Sequence, residues 1–275
     1  MFSNALLFAN EKTIIHRYVL ATGGNLENYQ IADSKIQSSH KLLDSKKWSY
    51  ITGPSYDTKN GCIYFEARKN GRSPLIYFFH FADKDRIPKQ LIKGRYPAIS
   101  PDSKFLSYYV HPNQLWILNL KTKESKKAGS EMLNRQPAVW ISNHSLLYAT
   151  TYKNLRCFNT ISGQNTRMAD QMNEVIPGAL SPNAEQVICG SYDGTKIYLY
   201  TLENKELKII KKSRFLSLGT NFVWSVDGKG FLFTRQTWSN SLRFNESQDL
   251  FYWSLTGNEI HLSEKVALFG GVAIQ

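Results

Sequence analysis

Phe222-Val223-Trp224-Ser225-Val226-Asp227-Gly228-Lys229-Gly230-Phe231-Leu232-Phe233 decides how the rest of the chain is read. An apolar run meets a Ser-Asp-Gly turn and is followed by a second run of aromatic and aliphatic residues, the pattern of two antiparallel strands. Working outward, the phrase recurs as Tyr96-Pro97-Ala98-Ile99-Ser100-Pro101-Asp102-Ser103-Lys104-Phe105-Leu106, and as Pro177-Gly178-Ala179-Leu180-Ser181-Pro182-Asn183 followed by Gln186-Val187-Ile188-Cys189. Weaker copies centre on Ser55 and Ser142. The anchor serines 55, 100, 142, 181 and 225 stand 45, 42, 39 and 44 residues apart. A period of about 40–45 residues is that of one propeller blade.

Each period holds four short strand signals and no helical pattern, and Asn70-Gly71 and Asp193-Gly194 mark tight hairpins. A four-stranded meander cannot cover its own faces, so neighbouring sheets must stack about an axis. The sixth repeat is split: Gly271-Val272-Ala273-Ile274-Gln275 matches the strand before an anchor serine, and Asn4-Ala5-Leu6-Leu7-Phe8 the strand after one. The expectation is a single all-β domain over residues 1–275, a six-bladed β-propeller of four-stranded antiparallel blades. Its ring is closed where Val272 to Ile274 pairs near Leu6 to Phe8. The polar stretch from Ser34 to Ser45 reads as an elaborated connection.

Val223-Trp224-Ser225-Val226-Asp227-Gly228-Lys229 and Ile99-Ser100-Pro101-Asp102-Ser103-Lys104 resemble the WD-like "W-S-P-D-G-K" repeat of TolB-type six-bladed propellers. The resemblance runs through the whole chain as repeats. It implies the fold, because proteins of very different function share the repeat.

With 275 residues, 42% of them hydrophobic, the chain is long and apolar enough for a substantial core. Its longest apolar runs, such as Leu115 to Leu118, are far too short to cross a bilayer as a helix. Met1 to Phe8 has no basic leader region, so no signal peptide is expected. Cys62, Cys157 and Cys189 sit in apolar stretches at no metal-ligand spacing and read as buried thiols; the expected setting is a reducing cytoplasm, or the periplasm if a signal peptide has been removed.

Asp57, Asp102 and Asp227 occupy turns, where a carboxylate accepts local N–H groups, and are read as structural. In the third copy Gly228 stands one place too early for the S-x-D-x-G-x-x-W turn of sialidases. The six histidines, at 16, 40, 80, 111, 144 and 261, form no local ligand pair, and there is no G-x-S-x-G elbow, phosphate-binding glycine loop or CxxC pair. No catalytic residue, metal or cofactor is assigned.

Basic residues are more informative once placed on the topology. In a meander A-B-C-D, the D-to-A and B-to-C connections emerge on one face of the disc. That face gathers Arg68, Lys69, Arg72, Arg95, Arg135, Lys153, Arg235 and Arg243 with hardly any acids. The opposite face is mixed in charge. Arg95 and Arg135, just before inner strands, are placed to offer a guanidinium fork to a carboxylate or phosphate. The long last B-to-C loop adds Trp238 and Phe244, residue types that anchor interfaces. The function expected is a non-enzymatic binding or scaffold propeller that recognises a protein or an anionic partner. The alternative is a lyase or hydrolase acting on an acidic saccharide at the channel mouth. Nucleic acid ranks third, because no aromatic row lines a groove.

Overall fold

The computed structural model describes residues 16–22, 25–32, 35–43, 48–69, 72–133, 136–168, 172–213, 218–219, 221–236, 248–263 and 268–274. Among these, the regular elements are strands, sorted into six four-stranded antiparallel sheets. Blade II comprises β4 (Tyr50–Asp57), β5 (Cys62–Arg68), β6 (Leu75–His80) and β7 (Lys89–Lys93). Blade III is β8 (Arg95–Ile99), β9 (Phe105–Val110), β10 (Gln114–Asn119) and β11 (Ser125–Gly129); blade IV is β12 (Val139–Trp140), β13 (Ser145–Ala149), β14 (Leu155–Asn159) and β15 (Asn165–Arg167). Blade V follows with β16 (Val175–Leu180), β17 (Gln186–Ser191), β18 (Lys196–Thr201) and β19 (Leu207–Lys212), and blade VI with β20 (Val223–Trp224), β21 (Gly230–Gln236), β22 (Gln248–Ser254) and β23 (Glu259–Ser263). Blade I joins the two ends of the chain: β24 (Leu268–Ile274) is its inner strand, followed outward by β1 (His16–Thr22), β2 (Asn25–Ala32) and β3 (Lys35–Leu43).

The split repeat is therefore real, but its register differs from the expectation. β24 pairs with β1, Val272 opposite Val19, rather than with the neighbourhood of Leu6 to Phe8, which lies outside the described residues. Two apolar runs compete in the sequence for that place, and only the pairing with β2 identifies the right one. The segment from Ser34 to Ser45 also departs from the connection expected: Lys35–Leu43 is the outer strand of blade I, bonded to β2. An edge strand is solvated on most sides, so it needs no apolar alternation to pair.

Strand alternation builds the core. Ile63 and Phe65 of β5 face blade I and pack with Val19, Leu26 and Ile51, while Cys62 and Tyr64 face blade III and pack with Leu106 and Tyr108. The same division runs round the ring, with an apolar cluster at every junction and a small second one between blades IV and V. Because both faces of every blade are covered, the middle strands read as nearly unbroken apolar runs. The repeat turns hold the inner strands in place. Ser225 donates its hydroxyl to Asp227 (2.6 Å), and Asp227 also accepts the Lys229 N–H at 3.0 Å; Ser100 and Asp102 repeat the device. In the weaker copies the equivalent turn begins at Asp57, opposite Cys62, and at Ile141, whose N–H bonds Ser145, not at Ser55 and Ser142. Trp140 and Trp224 tie each blade to the one before: their indole N–H groups donate to Ala98 O (2.9 Å) and Ala179 O (3.0 Å).

The outer strands share two traits. β3, β7, β11, β19 and β23 each carry a bulge near the C-terminal end, at Leu42, Leu91, Ala128, Ile210 and Leu262. All but β23 also carry cations: Lys35 and Lys41 on β3, Lys89 and Lys93 on β7, Lys126 and Lys127 on β11, Arg167 on β15, and Lys208, Lys211 and Lys212 on β19. No described helix is long and apolar enough to cross a membrane.

Candidate functional site

The inner strands leave an axial channel with two cavities that share Pro54, Pro137, Gly178, Phe222 and Gly271 as a waist. At this waist the Phe222 ring lies where a Cβ on Gly178 would stand 2.2 Å away, so the close approach depends on glycine. The lower cavity, about 480 Å³, opens among the repeat turns. The upper one, about 370 Å³, is walled by Tyr50, Thr52, Arg95, Tyr96, Gln136 and Asn221 together with the waist. Its size is that of a pocket for a small ligand or one side chain of a partner.

A bulge shapes the upper mouth. Arg95 pairs with Tyr109 and Ala98 with Ser107, so Tyr96 and Pro97 together oppose Tyr108. Bulges re-aim side chains, and here Arg95 and Tyr96 both line the cavity. Tyr96 sits in the left-handed region (φ 51), a conformation that persists only where its surroundings hold it. The holding group is Glu66 of the neighbouring blade, which is 0% exposed. Its carboxylate accepts the Tyr96 N–H at 3.1 Å, the Arg95 Nε–H at 2.8 Å and the Tyr50 hydroxyl. Arg95 lies over the Tyr96 ring, 4.7 Å from its centre. Burial draws the Arg95 pKa down, but the Glu66 charge beside it outweighs this and holds the guanidinium protonated. Burial, reinforced by the bond to Glu66, pushes the Tyr50 phenol well above its ordinary value. The cluster thus brings Arg95, Tyr50 and Tyr96 to the cavity wall, with the carboxylate behind them.

Outside the mouth, Arg68 is exposed, stacks over the Tyr50 ring at 5.2 Å and donates to Ser49 Oγ at 3.3 Å. Lys69 stacks on Trp48 at 5.3 Å, and Arg72 is exposed on the same hairpin. These four cations, from Arg68 to Arg95, form one sector on blades II and III. The rest of the face is less basic than the sequence implies. Lys153 pairs with Glu174 at 2.9 Å, and Arg235 packs on Phe251 at 4.2 Å and pairs with Glu259 at 2.8 Å, away from the cavity. Arg135, Trp238, Arg243 and Phe244 lie outside the described residues, as do Asn70 and Gly71.

Sequence reasoning named Arg95 but missed Glu66, Tyr50, Tyr96 and Trp48. Glu66 had a signal: it is the one charge within the apolar run Cys62-Ile63-Tyr64-Phe65-Glu66-Ala67. Among the described residues no three His, Cys, Asp or Glu side chains gather as metal ligands. The three cysteines are free; Cys62 and Cys189 are buried and Cys157 is half-buried. Burial pushes the Cys189 thiol up to about 12, which makes it a poor nucleophile.

No protein-family description matches the sequence. No curated protein matches it either. Likeness appears in three dimensions. TolB from Acinetobacter baumannii superposes with a TM-score of 0.69 at 14% identity over 94% of this chain, which spans 66% of that protein's length. A chain of the nidogen/laminin complex gives 0.72 at 10% identity, over 94% of this chain and 98% of that one. Oligogalacturonate lyase in complex with manganese gives 0.53 at 14% identity, covering 92% and 73%. At such identities the likeness concerns the fold and leaves the site to be argued from its own residues. The closed ring of six four-stranded blades and its likeness to TolB make this chain a β-propeller with the TolB-type fold.

Proposed function

We propose that the protein is a non-enzymatic binding propeller whose basic sector, on blades II and III, receives an anionic group of a protein partner at the upper channel mouth. The observation that carries this reading is the full burial of Glu66 behind Arg95 and Tyr50. A catalyst needs an acid and a base within reach of the substrate. Here the carboxylate touches only protein groups, and Tyr50 is held protonated and donates its hydrogen to that carboxylate. What faces the cavity suits recognition: a rigid, charge-assisted donor on an aromatic ring. Arg68 and Arg72 extend the positive field to the rim of the mouth.

A second reading, an enzyme acting on an acidic saccharide, draws on the bonds of Glu66 to Tyr50 and Arg95, both of which line the cavity. One experiment separates the two. An acidic hexapeptide of glutamates and an oligogalacturonate are titrated against the protein by calorimetry, with the saccharide also followed for cleavage. Salt-sensitive peptide binding that weakens about fivefold or more in Arg68→Ala/Arg72→Ala supports the proposal. Saccharide cleavage that Glu66→Gln abolishes replaces it with the enzymatic reading.

A further inference from the structure

The excess of positive charge lies on the outer strands. The six outer strands carry ten cations against the single carboxylate Glu259, which is +9 of the chain's formal +12. Nine of the ten are exposed; Lys211 is half-buried against Trp253 and pairs with Glu259. None of the exposed lysines on these strands pairs with a carboxylate among the described residues. The net charge is thus a belt round the perimeter over five blades, interrupted at blade VI.

Lysines on edge strands commonly serve to prevent sheet-to-sheet pairing. That role does not account for this belt. Five of the six edges are already broken by a bulge, and β15 has only three residues. β23 is bulged like the others yet has no lysine.

We propose that the rim binds double-stranded nucleic acid through its phosphate backbones, without reading sequence. The outer strands hold no Trp, Tyr or Phe, so they offer no platform for unpaired bases, whereas a duplex keeps its bases stacked inside. Nine of the ten cations are lysines, point charges suited to phosphate rather than to the bidentate reading of a base. Lys89 and Lys93, like Lys208 and Lys212, flank a bulge and pair with residues three apart on the neighbouring strand, so each pair sets two separate point charges about 10 Å apart along the edge.

The test is fluorescence anisotropy of a labelled duplex of about 24 base pairs across a salt series. Binding is expected with a slope of log K against log salt of about −4, and Lys89→Glu/Lys93→Glu or Lys208→Glu/Lys212→Glu should each weaken it about tenfold and flatten the slope by about 2. Lys59→Glu/Lys229→Glu makes the same charge change on exposed lysines of the repeat turns and should alter affinity less than about twofold. Lys89→Gln/Lys93→Gln gives a milder reading, about threefold, if the glutamate pair impairs folding. The proposal is overturned by no duplex binding at about 50 mM salt, or by an equal effect of the repeat-turn control. It is also overturned if heparin or phosphatidylserine vesicles bind at least about tenfold more tightly than the duplex.

Discussion

Two blade junctions solve the same electrostatic problem at different depths. Between blades II and III, Glu66 is completely buried and binds Arg95, Tyr50 and the Tyr96 main chain beside the axis. Between blades V and VI, Glu259 keeps 22% of its side chain exposed and binds Arg235 of its own blade and Lys211 of the preceding one. Lys211 rests 4.6 Å from the Trp253 ring, and Arg235 lies over Phe251. Both are a carboxylate held by cations on aromatic faces. Water reaches only the second, so the first depends far more on each partner.

The sharpest way to break the contrast is Arg95→Ala. Removing the cation leaves a buried carboxylate uncompensated, which typically costs about 3–5 kcal/mol. Urea denaturation should show that loss, and Arg95→Ala/Glu66→Gln should recover most of it. A loss of the same size in Lys211→Ala would erase the distinction between the junctions.

Tyr50→Phe should cost about 1–2 kcal/mol at neutral pH by deleting one donor to Glu66. It should also change the alkaline response. The native phenol's pKa is raised, so its stabilising contribution is complete below the unfolded value, about 10, and is lost as pH climbs through the native one. Denaturation at about pH 8 and about pH 11 should therefore show a smaller alkaline loss in Tyr50→Phe than in the parent.

Lys211→Ala should cost only about 1 kcal/mol, because Arg235 and solvent still serve Glu259. At the bottom of the scale, Lys153→Ala breaks an exposed pair with Glu174, and thermal melting should not register it.

The fold was legible because every blade must cover both faces, which writes the same apolar phrase into the sequence six times. The site was legible in part. Arg95 stands out as a cation at the start of an inner strand, but its partner lies 29 residues earlier on another blade, and only the stacking of blades brings them together. Arg235 looked like a mouth residue from loop geometry alone; its side chain turns into a junction because Phe251 offers it a ring. Lys35–Leu43 escaped notice as a strand because an outer edge has no buried stripe to reveal it.

The closure of the ring by β24 on β1 also sets a timetable for synthesis. Thr22 and Leu268 are separated by 245 residues, so at typical elongation rates of about 5–20 residues per second β1 waits roughly 10–50 s for its inner neighbour. Throughout that interval its unbonded edge is available to any other nascent strand. Tyr18, Val19, Leu20 and Ala21, which are buried once the ring closes, make that edge adhesive. A chaperone that shelters the first blade on the ribosome should therefore raise the yield of folded protein more than one that acts after release.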